Sequence, residues 1–119
     1  MSHSVIVSAC RTPIGSFQGA LTSFRSPELG GIAIKEAVKR AGIKPEEVGE
    51  VTMGCVLPAG LGQSPARQAL LAAGLPKEVG ALTVNKVCSS GLVAIAQADR
   101  YIKNGECDVA VAGGMESMT

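Results

Sequence analysis

The sequence is poor in aromatic and charged residues, and both shortages exclude classes of function. It has no tryptophan, one tyrosine and two phenylalanines, too few for the stacking platform that binds single-stranded nucleic acid. Charged residues make up 18% of the chain, below the roughly 25% of an average domain. The 11 basic and 10 acidic residues are interspersed, so no field of one sign attracts nucleic acid or an anionic membrane. We therefore expect no nucleic acid and no membrane among its partners.

Long apolar runs are also missing. No run reaches the roughly 18 to 20 apolar residues that span a bilayer. The N-terminus passes almost at once into Val5, Ile6 and Val7, without the basic region and long apolar core of a signal peptide. We expect a cytoplasmic protein, or an organellar one whose presequence has been removed.

Histidine is nearly absent and the cysteines are scattered. His3 is the only histidine, and no two of the four cysteines stand at the close spacing of a zinc knuckle or a dithiol redox motif. We predict no metal site and, in the cytosol, no disulfide. Each cysteine is interpreted first as a small buried apolar residue and second as a reactive thiol.

Short apolar runs alternate with helical patterns along the chain. We predict strands at residues 5–9, 50–56, 81–85 and 109–112. The last three runs are continuous, which is typical of strands that are covered on both faces. Their alternation with helices predicts an α/β domain with a mainly parallel sheet.

Serine, proline and glycine mark the predicted helix ends. Ser26 is predicted to cap the first helix ahead of Pro27, and Gly42 is predicted to stop it in the left-handed conformation. A second helix is predicted to start at Ser64 and to stop at Gly74 in the same way.

The third predicted helix follows Cys88, and its first turns differ from those of the other two. Its first turns, residues 92–96, are apolar on every side, and no charge occurs in the helix before Asp99. A helix of this pattern is predicted to be buried all round. A domain of 119 residues has little with which to cover it, so we expect the chain to belong to something larger.

Cys88 stands where the predicted strand 81–85 meets this helix. Ligands gather at the carboxyl ends of strands in open α/β sheets. The unpaired N–H groups and the dipole of a helix start favour a thiolate and can hold a negatively charged oxygen. The alternative is a buried cysteine without reactivity. Cys10, at the end of the first predicted strand, is a weaker candidate, and Cys55 and Cys107 are interpreted as structural.

Four segments, in order, resemble motifs of the thiolase family. They are Ser-Ala-Cys-Arg-Thr-Pro-Ile-Gly-Ser-Phe at residues 8–17, Gly-Leu-Gly-Gln-Ser-Pro-Ala-Arg-Gln at 60–68, Asn-Lys-Val-Cys-Ser-Ser-Gly-Leu at 85–92 and Ala-Gly-Gly-Met-Glu-Ser-Met at 112–118. Within the family they resemble acetyl-CoA acetyltransferases most closely. The resemblance implies that residues 1–119 form the N-terminal part of a thiolase N-terminal domain, in a layered αβαβα fold with a buried nucleophile helix.

The resemblance also implies a chemistry and an assembly. Thiolases act on coenzyme A thioesters without a bound cofactor, condensing two acetyl-CoA molecules or cleaving a 3-ketoacyl-CoA. The cysteine that corresponds to Cys88 takes the acyl group, and a second cysteine acts as the base on the incoming acetyl-CoA. A histidine activates the nucleophile. The family is dimeric or tetrameric, and its middle loop lies at the dimer interface. This makes Gln63 and Arg67 candidate interface residues, with a solvated loop as the alternative.

The chain departs from the family in what it lacks. The later motifs, which carry the catalytic histidine, the second cysteine and an asparagine, do not occur before Thr119. His3 cannot replace that histidine because it precedes the first predicted strand. We therefore expect this chain to be inactive alone. Two other interpretations stay open: a ketoacyl or hydroxymethylglutaryl-CoA synthase, which shares the fold and the cysteine position, and a non-catalytic interaction module. A longer reading frame with a Gly-His-Pro motif would distinguish an enzyme from a module.

Overall fold

The computed structural model describes residues 3–119, and within them helices and strands alternate along the chain. The helices are α1 (Ser26–Ala41), α2 (Pro65–Ala72) and α3 (Ser90–Lys103). The strands are β1 (Glu50–Gly54), β2 (Gly80–Val84) and β3 (Ala110–Gly114), and a short 3-10 turn at Pro45–Glu47 leads into β1. None of these helices is long and apolar enough to cross a membrane.

The strands form one sheet in the order β2-β1-β3. The central strand β1 pairs in parallel with both neighbours. The register places Gly54, Val84 and Gly114 level with one another, so the carboxyl ends of all three strands meet at one edge. The predicted α/β class with a parallel sheet is confirmed. We call this side of the molecule the carboxyl edge.

Helices cover both faces of the sheet. Met53 and Gly54 are consecutive residues of β1, so they face opposite sides. The Met53 side is covered by α1 and α2, and the Gly54 side by α3. The main core lies on the α1–α2 side, where Ile34, Met53 and Leu70 are at most 2% exposed. Burying side chains of this size stabilises the fold by about 1.5–3 kcal/mol each.

The predicted helix ends are mostly confirmed. Gly42 and Gly74 have left-handed φ values of 70° and 82° just beyond α1 and α2. The prediction for Ser26 is wrong by one position, because Ser26 is the first residue of α1 and Arg25 is the cap residue. The carboxylate of Glu28 accepts the Arg25 N–H at 2.7 Å. The Glu28 carboxylate therefore closes the helix start at Arg25, while Ser26 is buried and its hydroxyl has no hydrogen-bond partner among the described residues.

The predicted strand at residues 5–9 is wrong. The segment has no regular secondary structure, and Val5, Ile6 and Val7 are 67–79% exposed. It is attached to α1 through Ser8, whose Oγ donates to the Ala37 carbonyl at 2.7 Å. A strand takes its backbone hydrogen bonds from the edge of another strand. No strand within residues 3–119 pairs with this segment.

The third helix is not buried all round in this chain, so that prediction is wrong for the residues described. Ala94 and Ala98 of α3 are buried, and α3 packs on β1 and β3. On the other side, Leu92 is 72% exposed and Ile95 is 46% exposed. One sheet can cover only one face of a helix, so the outer face of α3 stays exposed at Leu92 and Ile95.

Candidate active site

Three loops meet at the carboxyl edge. Because β1 is central, the loop that follows it at residues 55–57 lies between residues 85–89, which follow β2, and residues 115–117, which follow β3. The backbone hydrogen bonds continue a little beyond the strands, since Cys55 N–H donates to the Val84 carbonyl and Met115 N–H donates to the Gly54 carbonyl, each at 3.0 Å. The loops are therefore held side by side.

The connection from β2 to α3 is a sharp turn in a strained conformation. Val87 has a left-handed φ of 49°, which is a steric outlier for a β-branched residue. Its N–H donates to Asn85 Oδ1 at 3.0 Å. Backbone strain of this kind persists only where the surroundings hold it, and it clusters at functional sites. The turn presents the next residue, Cys88, at the carboxyl edge.

The two serines after Cys88 support this turn. Ser90 is 4% exposed. Its Oγ donates to the Val87 carbonyl at 2.6 Å and accepts the Lys86 N–H at 2.8 Å. Ser89 Oγ donates to the Lys86 carbonyl, also at 2.8 Å. Both hydroxyls are thus used by the backbone of the turn, and we infer that their first role is to fix its shape.

Glycines let the start of α3 approach the sheet closely. A Cβ atom built on Gly54 would lie 2.7 Å from the carbonyl carbon of Ser90 and 2.9 Å from the Gly91 nitrogen. A Cβ atom on Gly114 would lie 3.7 Å from the Gly91 Cα. The backbone ends of β1 and β3 therefore form the floor on which the first turn of α3 rests. This floor sets the height of Cys88 above the sheet.

Among the four cysteines, Cys88 alone is exposed. It stands two residues before the first residue of α3, at the positive end of the helix dipole, where anions are stabilised. The N–H groups of Ser89 and Ser90 already donate to the carbonyls of Lys86 and Val87. Cys55 is buried, and burial together with the Glu116 carboxylate raises the pKa of its thiol. Burial also raises the pKa of the half-buried Cys107, next to Glu50. The structure therefore favours Cys88 as the reactive thiol.

Cys10, the weaker candidate, is held away from this role. It is half-buried, and its Sγ donates to the Ala33 carbonyl of α1 at 3.1 Å. It belongs to the unpaired segment before α1 in the chain, which lies against that helix, so no strand end carries it to the carboxyl edge. The interpretation of this cysteine as structural is favoured.

Glu116 is a site residue that the sequence pattern did not single out. Its Oε2 accepts the Val56 N–H at 2.9 Å and its Oε1 accepts the Leu57 N–H at 2.8 Å. The Cys55 thiol donates to the same carboxylate at 3.8 Å. A carboxylate four residues after the predicted strand 109–112 was the available signal, but nothing local showed which loop it would reach.

With the geometry established, comparison with known proteins decides the family. The model of the thiolase N-terminal domain matches residues 4–119. The chain belongs to the thiolase family. It is 56% identical to an acetyl-CoA acetyltransferase of Syntrophomonas wolfei and 60% identical to a cytosolic acetyl-CoA acetyltransferase of Gibberella zeae, each over 96% of this chain and 29% of the relative.

A solved structure supports the same conclusion. A thiolase from Ascaris suum in complex with coenzyme A is similar with a TM-score of 0.89 and 44% identity, over 92% of this chain and 28% of that one. A mitochondrial acetyl-CoA acetyltransferase of Danio rerio is 57% identical over the whole chain and 28% of the relative. The chain thus spans less than a third of the length of these thiolases.

In this thiolase domain the middle loop is a separate feature from the Cys88 turn. Gln63 and Arg67 are both exposed, and none of their hydrogen bonds reaches the turn. The loop is held instead by Gln68, whose Nε2 donates to the carbonyls of Leu61 and Gln63 at 2.7 and 2.8 Å. Arg67 donates to the Lys77 carbonyl at 3.1 Å. The interface role of Gln63 and Arg67 stays a prediction.

Proposed function

We propose that the full-length protein transfers acyl groups between coenzyme A thioesters and that Cys88 is the acyl-carrying nucleophile. The observation that carries the proposal is the position of Cys88, an exposed thiol on a strained turn at the start of α3. Membership of the thiolase family supports the reaction class. The names of the relatives, acetyl-CoA acetyltransferases, support acetyl-CoA as the substrate.

The first step forms an acyl-cysteine. Cys88 Sγ, having lost its proton to a base, attacks the carbonyl carbon of the thioester. The carbonyl oxygen takes up the negative charge, which the positive end of the α3 dipole is suited to stabilise. The bond from carbon to the coenzyme A sulfur then breaks, and coenzyme A leaves as a thiol after taking a proton. No bound cofactor or metal is required by this chemistry.

The second step uses the acyl group. A base removes a proton from the carbon next to the thioester of a second acetyl-CoA, and the resulting carbanion attacks the acyl-cysteine. The bond to Cys88 Sγ breaks and acetoacetyl-CoA is released; the reverse sequence is thiolysis of a 3-ketoacyl-CoA. This step needs a positioned base and a site for the enolate charge. We place both outside residues 1–119, so we expect this chain alone to be inactive.

An assembly and a cellular location are part of the proposal. We propose a homodimer or homotetramer in which Gln63 and Arg67 contact the neighbouring subunit, since both are exposed on a loop that Gln68 holds in place. We propose a cytoplasmic location, or an organellar one, because the relatives include cytosolic and mitochondrial forms.

Thiolysis of acetoacetyl-CoA by the full-length protein tests the function. We expect Cys88→Ser to lower the rate by about a thousandfold or more, since an unactivated hydroxyl is a far weaker nucleophile. Cys107→Ser, which changes a half-buried thiol beside Glu50, is the matched control and should retain the rate within about twofold. A Cys88→Ser variant with a tenth of the activity would contradict the proposal. Absence of thiolysis in the unaltered protein would favour a non-catalytic module.

A further inference from the structure

Two polar side chains connect the three loops of the carboxyl edge. Asn85 directly follows β2, and Glu116 comes two residues after β3. The loop after β1 lies between them and bonds to both. Asn85 Nδ2 donates to the Val56 carbonyl at 3.3 Å, and Leu57 N–H donates to Glu116 Oε1 at 2.8 Å. These two groups belong to one peptide unit, so a single amide joins the two side chains.

The connection continues into the turn that carries the nucleophile. Val87 N–H donates to Asn85 Oδ1 at 3.0 Å, so the donors run in one direction, from Val87 through Asn85 and the Val56–Leu57 peptide to the carboxylate. Aligned amides polarise one another, and hydrogen bonds to an ionised acceptor are stronger than neutral ones. Glu116 accepts a second N–H, that of Val56, at 2.9 Å, which fixes the loop at its charged end.

The orientation of the Asn85 amide is determined by its neighbours. Its oxygen faces an N–H and its nitrogen faces a carbonyl. The opposite orientation would set two donors against each other at Val87 and two acceptors against each other at Val56. The chain of hydrogen bonds therefore has one direction, and its last acceptor is the carboxylate of Glu116.

We propose that Asn85 and Glu116 are positioning residues for the acyl-transfer reaction and that they act as one unit. Val87 has a left-handed φ that its side chain disfavours, and Asn85 accepts its N–H. By holding that group, the chain of hydrogen bonds fixes the orientation of Cys88, which follows directly. The proposal rests on the proposed role of Cys88 as nucleophile. Neither residue is required to contact the substrate.

The test is a double-mutant cycle in the full-length protein with Asn85→Ala, Glu116→Gln and their combination. The chain offers a matched control pair. Asn104 Nδ2 donates to Glu106 Oε1 at 3.4 Å, and both residues are exposed beyond the end of α3. Asn104→Ala and Glu106→Gln therefore make the same chemical changes away from the turn. Asn85→Asp, which keeps the acceptor for Val87 and loses the donor, replaces Asn85→Ala if that variant does not fold.

The kinetic result distinguishes positioning from general stability. We expect each site variant to lower kcat by about 10- to 100-fold, with KM changed less than about threefold, because the nucleophile is misplaced while substrate binding persists. The double variant should match the slower single variant within about threefold, since it breaks a chain already broken. Losses that multiply in the double variant, an unchanged kcat, or equal losses in the control pair would overturn the proposal.

A second readout does not depend on the proposed function. Alkylation of Cys88 by iodoacetamide, followed by peptide mass spectrometry, reports the thiol without any substrate. We expect Asn85→Ala and Glu116→Gln each to slow alkylation by about threefold or more. The double variant should be alkylated about as fast as the slower single variant. If the unaltered protein lacks thiolysis, the proposed function fails, and the alkylation rates alone decide the positioning role. Equal rates in all variants would overturn it.

Discussion

Replacing Gly54 by alanine should displace the start of α3 and with it Cys88. The added Cβ would lie 2.7 Å from the carbonyl carbon and Cβ of Ser90 and 2.9 Å from the Gly91 nitrogen. Most of these atoms are backbone, so no flexible side chain can give way. Ordinary contact begins at 3.4 Å, so the helix start must move by roughly 0.7 Å. Overpacking of this kind costs about 1–3 kcal/mol, offset by about 0.4–1 kcal/mol from the stiffer unfolded chain.

We therefore expect the Gly54→Ala variant of the full-length protein to lose about 1–2 kcal/mol in urea unfolding. Thiolysis should fall by about tenfold or more, because a shift of about 1 Å at a reacting group can cost a hundredfold. Gly91→Ala is the stability control. A Cβ on Gly91 meets none of residues 3–119 within 4 Å, so this variant should be as stable as the original or up to about 1 kcal/mol more stable. Unchanged stability and activity in Gly54→Ala would refute the close approach.

Three further expectations concern the turn, a buried thiol and the assembly. Ser90→Ala removes a buried hydroxyl that bridges two backbone groups of the Cys88 turn and should cost about 1–3 kcal/mol in urea unfolding; an unchanged free energy of unfolding would contradict that bridge. Burial and a neighbouring carboxylate raise the pKa of the Cys55 thiol, so its contribution to stability is complete below about pH 8.5 and is lost as pH rises through the raised pKa. Urea unfolding from about pH 8 to 10 should show a smaller loss in Cys55→Ala, and equal pH dependence in both proteins would count against this. Light scattering of the full-length protein should give a dimer or tetramer, and an active monomer would argue against the interface role of Gln63 and Arg67.

The parts of the fold that local patterns determine could be predicted from the sequence. Three continuous apolar runs form β1, β2 and β3, because a strand that is covered on both faces is apolar at successive positions. Gly42 and Gly74 end helices because the left-handed conformation excludes most other residues. The position of Cys88 at the junction of β2 and α3 could also be predicted, because the end of the strand pattern and the start of the helix pattern are both visible in the sequence.

The parts that depend on distant partners could not be predicted in this way. Residues 5–9 have the composition of a strand, but a strand exists only beside another edge, and composition does not show whether that edge is present. The apolar outer face of α3 led to the prediction of a buried helix, but composition does not show whether a covering element is present. Asn85 and Glu116 meet the loop after β1 only because the sheet order places that loop between them. Spacing along the chain carries no information about such a contact.

The most direct test of the central claim is to trap the acyl-enzyme. The full-length protein is mixed with acetyl-CoA, quenched in acid and digested, and the peptides are analysed by mass spectrometry. We expect one acetyl group on the peptide that contains Cys88, displaced when coenzyme A is added before the quench and absent from Cys88→Ala. An acetyl group on another cysteine, or turnover by Cys88→Ala, would contradict the role of Cys88 as the nucleophile.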